Sequence, residues 1–253
     1  MPSSNQHLVE RFQKDGFIVL ENALTDSQLS ALNSELSMWV EESRNNDKPF
    51  GKIMDGRPRF DLQLDTHSFE KPALRRITSP AEISKACLDV VKDNKALDLV
   101  SEIFGPNIKH WTNKLNLKLP SSGTEVKFHQ DFPFEPHSNE DIMTVLFFLD
   151  DVTLENGPLQ VVPGTHNGPL HSLWHDGFFT GAVSPEVELE KKQEAICCIG
   201  KAGSACLMHS KLLHGSSSNR TKLPRSLYIV RYTAEDAIPL TENPLPSDLD
   251  GLI

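Results

Sequence analysis

The sequence lacks any apolar run approaching the roughly 18 residues that a membrane-spanning helix needs. Its first residues, 1–5, show no secretory leader either. Hydrophobic residues make up 38% and charged residues 24% of the chain, as in ordinary soluble proteins. These features favour a cytoplasmic protein with no membrane partner.

Positive charge is in deficit along the chain. It has 25 lysines and arginines against 35 aspartates and glutamates, a formal net charge of −10. Proteins that bind nucleic acid hold the phosphate backbone with a surplus of Lys and Arg. The deficit therefore predicts no nucleic-acid partner, although a pocket can still be locally basic.

Cysteine is scarce, and its spacing excludes the common thiol motifs. The chain has four cysteines and no Cys-x-x-Cys pair, with thiols at Cys87, Cys197, Cys198 and Cys206. In a cytosolic setting this usage is typical of reduced, buried thiols rather than of a disulfide framework.

The most informative residues are His129 and Asp131, which stand two positions apart in a segment with the pattern of a strand. Residues i and i+2 of a strand project from the same face, so the two side chains can converge on one ion while Gln130 points away. A His-x-Asp pair alone occurs by chance in many sequences. It predicts a metal site only together with a third ligand from elsewhere in the chain.

Two histidines compete for that third position. His214 lies at the end of an apolar run, and His209 is its rival, because an arginine follows each of them by eleven residues, at Arg225 and Arg220. Two histidines and one carboxylate are the ligand set of non-haem Fe(II) oxygenases, whereas zinc more often takes three histidines or sulfur ligands. The spacing by itself leaves His209 and His214 both open.

Helix signals dominate the first part of the chain. Apolar residues recur at helical spacing, and Gly16 and Thr25 or Asp26 provide a helix end and a helix start. Ser79 and Glu82 have the spacing of a capping box around a proline at the first helical position. The helices expected from these signals are 6–15, 26–42, 83–91 and 96–103.

Strand signals follow. Residues 45–78 are charged and interrupted by proline and glycine, which predicts an irregular segment. Elsewhere, short apolar runs alternate with turn residues, which indicates a β-sandwich or barrel. The strands expected are 17–20, 111–119, 126–131, 142–149, 159–162, 195–199, 205–208 and 227–232.

Several motifs together resemble one family. His129-x-Asp131, the turn Pro163-Gly164-Thr165-His166, and His214-Gly215-Ser216 with Arg225 look like the phytanoyl-CoA dioxygenase family of Fe(II)- and 2-oxoglutarate-dependent oxygenases. The resemblance extends from residue 15 to residue 232. It implies an α+β, mainly β fold: a double-stranded β-helix, or jelly roll, with the N-terminal helices packed outside.

The resemblance also implies a domain organisation and an ion site. The chain is expected to be one domain over 1–253, with a helical and irregular part at 1–110, a jelly-roll core at 111–235, a lid insertion at 166–195 and a tail at 236–253. The motif around His214 matches the family pattern, so His129, Asp131 and His214 are the implied iron ligands. His209 falls where relatives have a histidine that lies next to the metal ligands but does not bind the metal.

The reaction implied by the family is hydroxylation of a small or medium metabolite. Fe(II) serves as the cofactor, 2-oxoglutarate and O2 are consumed, and succinate and CO2 are released. Because a carboxylate fills the third protein position, halogenation is disfavoured. The pattern does not specify the oligomeric state.

Cofactor residues follow from the same resemblance. The planar guanidinium of Arg225 suits the distal carboxylate of 2-oxoglutarate, since it pairs with carboxylates in a bidentate manner. The other residues expected to line the cofactor pocket are Ser216, Thr144, Phe147, Lys114 and Asn116. The family has a tryptophan in the place of Phe147, so the chain departs from the pattern there.

The substrate is expected to approach from two irregular segments. The loop after His166 is rich in aromatic residues. It could be either an ordinary surface loop or an active-site lid. Arginines in the segment 45–78 fit either surface charges or substrate anchors. The residues expected to contact the substrate are Trp174, Phe178, Arg57 and Arg59.

Two other function classes fit the ligand spacing. One is a metal-binding barrel without oxygenase activity, and the other is a zinc hydrolase or isomerase on a similar barrel. Neither needs a dicarboxylate-binding arm, so the presence of Arg225 and Ser216 favours the oxygenase.

Overall fold

The computed structural model describes residues 5–54, 56–120 and 124–240. Within them the helices are α1 (Gln6–Asp15), α2 (Asp26–Ser43), α3 (Lys85–Lys92), α4 (Lys95–Phe104) and α5 (Pro185–Lys191). The strands are β1 (Phe17–Leu20), β2 (Phe50–Met54), β3 (Arg57–Leu62), β4 (Leu74–Thr78), β5 (Ile108–Lys118), β6 (Val126–His129), β7 (Ile142–Phe148), β8 (Leu159–Val161), β9 (Trp174–His175), β10 (Phe178–Phe179), β11 (Ile196–Cys198), β12 (Ala205–His209), β13 (His214–Ser216) and β14 (Arg225–Ala234).

The first two helices begin at the residues that the sequence signals predicted, and α2 ends at Ser43, one residue beyond its predicted end. Gly16 ends α1 in the left-handed region at φ 78°, and its N–H donates to the carbonyl of Phe12. Thr25 caps α2, and Gln28 completes a capping box by bonding back to the Thr25 N–H. Both helix predictions are confirmed.

The capping box predicted at Ser79 and Glu82 is wrong. Ser79 makes no capping bond and precedes only a single 3-10 turn, Pro80–Glu82. The Glu82 carboxylate instead forms an ion pair with the guanidinium of Arg59. Helix α3 begins later, where the Ser84 hydroxyl accepts from the N–H of Cys87.

An eight-stranded antiparallel sheet carries most of the chain, in the order β1-β12-β7-β14-β5-β4-β3-β2. A second sheet of four strands, β11-β8-β13-β6, faces it. Leu146 and Ile229 of the large sheet pack with Leu159 and Val161 of the small sheet between the two layers. Two such facing sheets make the predicted jelly roll, and the predicted fold class is confirmed.

The segment 45–78 is not irregular as predicted. It forms β2, β3 and β4, which extend the large sheet beyond β5. Arg76 pairs in register with Asn116, and Thr78 pairs with Lys114. The prolines and glycines that suggested loops lie between or at the ends of these strands, and the pairing partner β5 is distant in sequence.

Apolar packing continues on the outer side of the large sheet. Helices α1 to α4 cover this side, and Leu32, Leu99, Phe147 and Tyr228 are fully buried in the cluster they form with the sheet. Strand β7 is therefore buried on both faces along its whole length. This explains why its sequence is almost uniformly apolar rather than alternating.

The structure also bears on the cysteines, on membrane-spanning helices and on the C-terminal tail. All four cysteines are free thiols, and three of them are buried. Among the described residues, no helix has the length and hydropathy to cross a bilayer. The predicted tail, 236–253, lies outside the described residues from position 241 onward.

Candidate metal centre and cofactor pocket

His129 and His214 meet because their strands pair. Strands β6 and β13 are antiparallel neighbours in the small sheet, and His129 and His214 are directly opposite each other in the register. Their ring centroids are 4.2 Å apart. Two residues far apart in sequence are thus held side by side by backbone hydrogen bonds.

Asp131 reaches the same point by a different route than predicted. Strand β6 ends at His129, and Asp131 has helical dihedral angles, φ −72° and ψ −35°, at the start of a 3-10 turn. The turn is fastened by the Phe132 N–H, which donates to the carbonyl of Ser210. Gln130 points away, as predicted, and its side chain binds the backbone of Pro169, His171 and Lys211.

One potential ligand atom from each residue faces a common centre. His129 Nε2 lies 3.6 Å and His214 Nε2 lies 3.8 Å from Oδ1 of Asp131. The donor atoms of all three side chains lie within 4.8 Å of one another. Separations of 3.6 and 3.8 Å are compatible with a single ion that has ligand distances of about 2.0–2.2 Å.

Both imidazoles are oriented for metal binding by their other nitrogen. His129 Nδ1 lies 2.9 Å from the carbonyl oxygen of Lys127, and His214 Nδ1 lies 2.8 Å from that of Leu212. A carbonyl only accepts, so each Nδ1 carries a proton and each Nε2 presents a lone pair. Burial and the neighbouring His129 lower the pKa of His214 to about 4, which keeps its imidazole neutral.

The second oxygen of Asp131 is held by the protein. Oδ2 accepts from the hydroxyl of Thr144 at 3.2 Å and pairs with the guanidinium of Arg231 at 2.9 Å. Arg231 also pairs with Glu135 at 2.6 Å, and Glu135 accepts from the indole N–H of Trp111. Burial alone would raise the pKa of Asp131, but the charge of Arg231 together with the neighbouring His214 and His129 outweighs it and holds that pKa well below its usual value.

His209, the rival ligand, lies elsewhere. It is buried against Phe12 and His166, with ring centroids 6.3 and 5.3 Å away. Its Nδ1 accepts from the backbone N–H of Lys211. Among the described residues, it is His214 that joins His129 and Asp131.

A cavity of about 340 Å³ opens between the two sheets beside these three residues. The inward faces of β5 and β14 line it with alternate residues, which are Lys114, Asn116, Lys118, Arg225, Leu227, Ile229 and Arg231. Among the residues that the structure describes, six cationic side chains and two carboxylates line the cavity. The pocket is therefore basic within a protein whose net charge is −10.

Arg225 and Lys118 form a cationic group in this cavity, beside Ser216. The Arg225 guanidinium donates to the carbonyl of Gly157, and the Lys118 ammonium donates to the Ser216 hydroxyl at 2.6 Å and to the carbonyl of Ser217. Burial lowers the pKa of Arg225 to about 10. Burial and the charge of Arg225 lower the pKa of Lys118 to about 7.

Gly157 makes this arrangement possible. Its φ of +80° lies in the left-handed region, which favours glycine. A Cβ at this position would collide with the side chain of Lys118 and the carbonyl of Ser217. The residue is thus required both for the backbone turn and for the close approach of Lys118.

The donor sets fit a divalent metal and a dicarboxylate. The three convergent side chains supply two neutral imidazoles and one carboxylate, a set suited to Fe(II). At the other group, Arg225 Nε is buried without a hydrogen-bond partner among the described residues. A carboxylate can accept from this N–H and from the Lys118 ammonium at once.

Phe147 does not line the pocket, and the prediction that it does is wrong. It is fully buried on the helix-covered face of the large sheet, where its ring packs near Tyr228. Thr144 lines the cavity, and an odd separation along a strand places Phe147 on the opposite face. Ser216, Thr144, Lys114 and Asn116 all line the cavity, and their contacts with the cofactor stay a prediction.

Arg59 and Arg57 are not brought to the cavity. Arg59 is 3% exposed, forms its ion pair with Glu82 and does not line the cavity, so this structure does not bring it to the metal ligands. Arg57 is exposed at the start of β3 and is absent from the cavity lining. The neighbouring strand β4 supplies Arg75 and Arg76 to the lining instead.

The loop after His166 contains a short hairpin, β9-β10. Trp174 is 61% and Phe178 74% exposed, and neither lines the cavity. Trp174 pairs with Phe179, whose ring contacts Phe134 at 5.5 Å, and Phe134 contacts the ring of His129 at 5.7 Å. Strand alternation gives Phe179, rather than Phe178, the position facing the metal ligands.

Arg231 is not among the site residues predicted above, although the sequence contains a signal for it. Arg225, Leu227, Ile229 and Arg231 follow the two-residue period of one strand face, and all line the cavity. An arginine inside the apolar run of β14 is costly unless it is paired, which points to a buried carboxylate partner. Lys118 follows the same two-residue period in β5, because it lies on the same strand face as Lys114 and Asn116.

Known proteins resemble the chain over most of its length. The family model described as phytanoyl-CoA dioxygenase (PhyH) matches residues 12–227. A probable alpha-ketoglutarate-dependent hypophosphite dioxygenase of Stutzerimonas stutzeri is 33% identical over 188 residues, which are 70% of this chain and 65% of that protein. The L-proline trans-4-hydroxylase of Streptomyces griseoviridis is 26% identical over 244 residues, 88% of this chain and 84% of that protein.

A solved structure shares the fold across nearly the whole chain. The epimerase SnoN, solved in complex with Fe3+, alpha ketoglutarate and nogalamycin RO, superposes with a TM-score of 0.73 at 16% identity. The match covers 99% of this chain and 98% of that one.

Proposed function

The chain belongs to the phytanoyl-CoA dioxygenase family of Fe(II)- and 2-oxoglutarate-dependent oxygenases, and from this premise we propose that it hydroxylates a C–H bond of a small metabolite. O2 and 2-oxoglutarate are consumed, and succinate and CO2 are released. One observation carries the proposal: the convergent His129, Asp131 and His214 lie beside a cavity that is also lined by Arg225 and Lys118.

His129, Asp131 and His214 would hold the iron. Bound Fe(II) supplies the activation of O2 that couples decarboxylation of 2-oxoglutarate to oxidation of a substrate C–H bond. The protein contributes the orientation of the ligands. Backbone carbonyls set the rotation of both imidazoles, and Thr144 and Arg231 leave only Oδ1 of Asp131 directed at the metal.

Arg225, Lys118 and Ser216 would receive the distal carboxylate of 2-oxoglutarate. Arg225 and Lys118 are cations that bond only to neutral oxygens of the described residues. A carboxylate placed among them replaces weak contacts by charge-assisted ones, which are roughly twice as strong. Asn116, whose Oδ1 is buried without a hydrogen-bond partner among the described residues, lines the same cavity and would contact the cofactor.

The substrate would enter past the aromatic hairpin. Phe134, Phe179 and Trp174 form a chain of ring contacts that begins at His129 and ends at the surface. Such rings exclude water from a reacting centre and pack on the apolar part of a small molecule. The relatives named above for hypophosphite and L-proline also support a small substrate.

Succinate formation tests the proposal directly. The purified protein with Fe(II), ascorbate and 2-oxoglutarate should release succinate even without its substrate, through uncoupled turnover. His129→Ala, Asp131→Ala and His214→Ala should each abolish this release, because each removes one of the three metal ligands.

His209→Ala is the matched control, and it should bind metal and release succinate as the wild type does. If no succinate forms from 2-oxoglutarate in the wild type, the chain is a metal-binding barrel or a hydrolase. If His209→Ala loses the metal and His214→Ala keeps it, the assignment of the third ligand is wrong.

A further inference from the structure

The contacts of Arg231 extend beyond the metal ligand that it binds. Its guanidinium is divided between two carboxylates: one terminal nitrogen lies 2.9 Å from Oδ2 of Asp131, and the other lies 2.6 Å from Oε1 of Glu135. A guanidinium presents its N–H groups in a rigid, planar fork. Because the fork is rigid, the position of Glu135 determines the direction from which Arg231 approaches Asp131.

Both oxygens of Glu135 have a donor, so its carboxylate has a defined orientation. Oε1 is bound by Arg231, and Oε2 accepts from the indole N–H of Trp111 at 2.8 Å. Burial alone would raise the pKa of Glu135, but the charge of Arg231 and the N–H of Trp111 outweigh it and lower that pKa below its usual value. Glu135 is therefore an anion fixed between two donors.

Trp111 reaches Glu135 because strand β5 contains a β-bulge. Arg231 of β14 lies opposite Thr112 of β5, but the next residue of β14 lies opposite His110, so that Trp111 is left without a partner. Strict alternation would place Trp111, three residues before the cavity-lining Lys114, on the opposite face of the sheet. A bulge re-aims a side chain, and this one turns the indole toward Arg231 and its partner.

The backbone at Glu135 is held independently of Arg231. Its N–H donates to the carbonyl of Phe132, and its carbonyl oxygen lies 2.8 Å from Nδ1 of His137. The next carbonyl, that of Pro136, accepts from the N–H of Leu240 after the last strand. Glu135 therefore has a position of its own, as a residue that orients another side chain must have.

The division of the fork matters for the ion. Oδ1 of Asp131 is the oxygen that faces His129 and His214. Arginine binds a carboxylate through both oxygens wherever its two N–H arms are available. If Arg231 were released from Glu135, its second arm could turn to Oδ1 and compete with the ion for that oxygen.

We propose that Glu135 and Trp111 are positioning residues of the metal centre: by holding one arm of Arg231, they leave Oδ1 of Asp131 to the ion. This role rests on the proposed function, since it concerns the same metal centre. Neither side chain has to contact the metal, the cofactor or the substrate. Their effect passes through Arg231, and that dependence can be measured.

Metal binding by Glu135→Gln tests the proposal. The variant keeps the shape of the side chain and removes its charge, so Arg231 should turn further toward Asp131. Titration with Mn(II) should show an affinity about tenfold lower or less, as is typical when a contact that orients a ligand is lost. Glu140→Gln is the matched control, because it removes the carboxylate of an exposed ion pair with Lys211 and should bind Mn(II) as the wild type does.

The visible absorption of bound Co(II) gives a second readout. It depends on the number and arrangement of the ligand atoms, so it responds to a change at Oδ1 of Asp131 and not to a loss of stability elsewhere. The spectrum of Glu135→Gln should differ from that of the wild type, and the spectrum of Glu140→Gln should not. An unchanged spectrum together with unchanged Mn(II) affinity in Glu135→Gln would overturn the proposal.

Trp111→Phe is a milder change in the same contact. It removes the indole N–H and keeps an aromatic ring beside His137, whose ring centroid is 5.0 Å from that of Trp111. Mn(II) affinity should fall about threefold, since one neutral donor is lost while the charges remain. Thermal unfolding of the metal-free variants should show that both are folded.

A double-mutant cycle shows whether the effect passes through Arg231. In the Arg231→Met background, Glu135→Gln should change Mn(II) affinity little, because the arm that Glu135 holds is no longer present. Additive effects of the two substitutions would contradict a role through Arg231. A wild type that binds neither Mn(II) nor Co(II) would contradict the proposed function as well, whereas wild-type binding that Glu135→Gln leaves unaltered would contradict only the role of Glu135.

Discussion

At the metal end of the cavity, the buried charges of Asp131 and Arg231 have charged partners within the protein, whereas, among the described residues, the cations at the opposite end of the cavity do not. Asp131 is bound through Oδ2 by Thr144 and Arg231, and Arg231 is in turn compensated by Glu135. By contrast, Arg225 and Lys118 meet only neutral oxygens among the described residues.

The difference reflects what each region has to do. A metal centre requires a single geometry, so its ligands are oriented before the ion arrives, by contacts within the protein. A region that binds anions from solution must keep donors available, and it therefore accepts an electrostatic cost in the free protein. The two regions should respond differently when their cations are removed.

The largest effect is expected from Arg225→Gln. It removes the charge that is proposed to bind the distal carboxylate of 2-oxoglutarate, and breaking such a buried charge pair typically costs about 2–5 kcal/mol. The 2-oxoglutarate concentration for half-maximal succinate release should rise about 30-fold or more, while metal affinity changes little. Arg220→Gln, an exposed arginine, is the control. The reverse ranking of the two variants would assign the cofactor to the wrong arginine.

Arg231→Met tests the metal end of the cavity, where the charges of Asp131, Arg231 and Glu135 are paired. It leaves the carboxylates of Asp131 and Glu135 buried without their counter-charge, so the pKa of Asp131 should rise. The free energy of unfolding of the metal-free protein should fall by about 3–5 kcal/mol. Metal affinity should fall about 10–100-fold, as is typical when a contact that orients a ligand is lost. Urea unfolding and titration with Mn(II) measure the two effects.

Gly157→Ala should disturb the cationic group without removing a charge. The added Cβ is strained at φ +80° and collides with Lys118 and Ser217, which costs about 1–3 kcal/mol. Gly56→Ala is the control, since Gly56 has φ +69° and no atom within 4 Å of the added Cβ. Both variants should lose stability in thermal unfolding, but only Gly157→Ala should weaken 2-oxoglutarate binding. Equal 2-oxoglutarate affinity in both would show that Lys118 is not held in place by this contact.

The smallest effect is a pH dependence at Lys118. With a pKa of about 7 in the free protein, its side chain is largely neutral at pH 8 and largely charged at pH 6. A bound carboxylate favours the charged form, so binding takes up a proton at pH 8, and affinity for 2-oxoglutarate should be about fivefold lower at pH 8 than at pH 7. Calorimetry in buffers of different ionisation enthalpy measures the uptake. Lys118→Met should abolish it.

Local patterns in the sequence were sufficient for the first helices and for the candidate ligands. The caps of α1 and α2 involve neighbours within a few residues, so their signals are contained in the segment itself. The His129 and Asp131 pair is equally local. Its third member, His214, was singled out by the motif around it and not by spacing, since His209 shares the spacing.

Other features depended on partners distant in the chain. Residues 45–78 contain breakers at a density typical of loops, yet they form β2 to β4 because β5 offers an edge with which to pair. Asp131 leaves its strand, but the backbone bond from Phe132 to Ser210 brings its carboxylate to the histidines. Propensity and period describe a segment, and they do not contain these cross-strand contacts.

The sequence by itself determined the chemistry of the metal site, because ligand type is a property of the residues His129, Asp131 and His214. The tertiary structure decided which charges surround that site. Arg76, Lys114, Arg225 and Arg231 come from three strands, and they meet only because β4, β5 and β14 lie side by side in one sheet. A net charge of −10 gives no indication of this basic cavity, because electrostatic effects at a site depend on distances that folding alone sets.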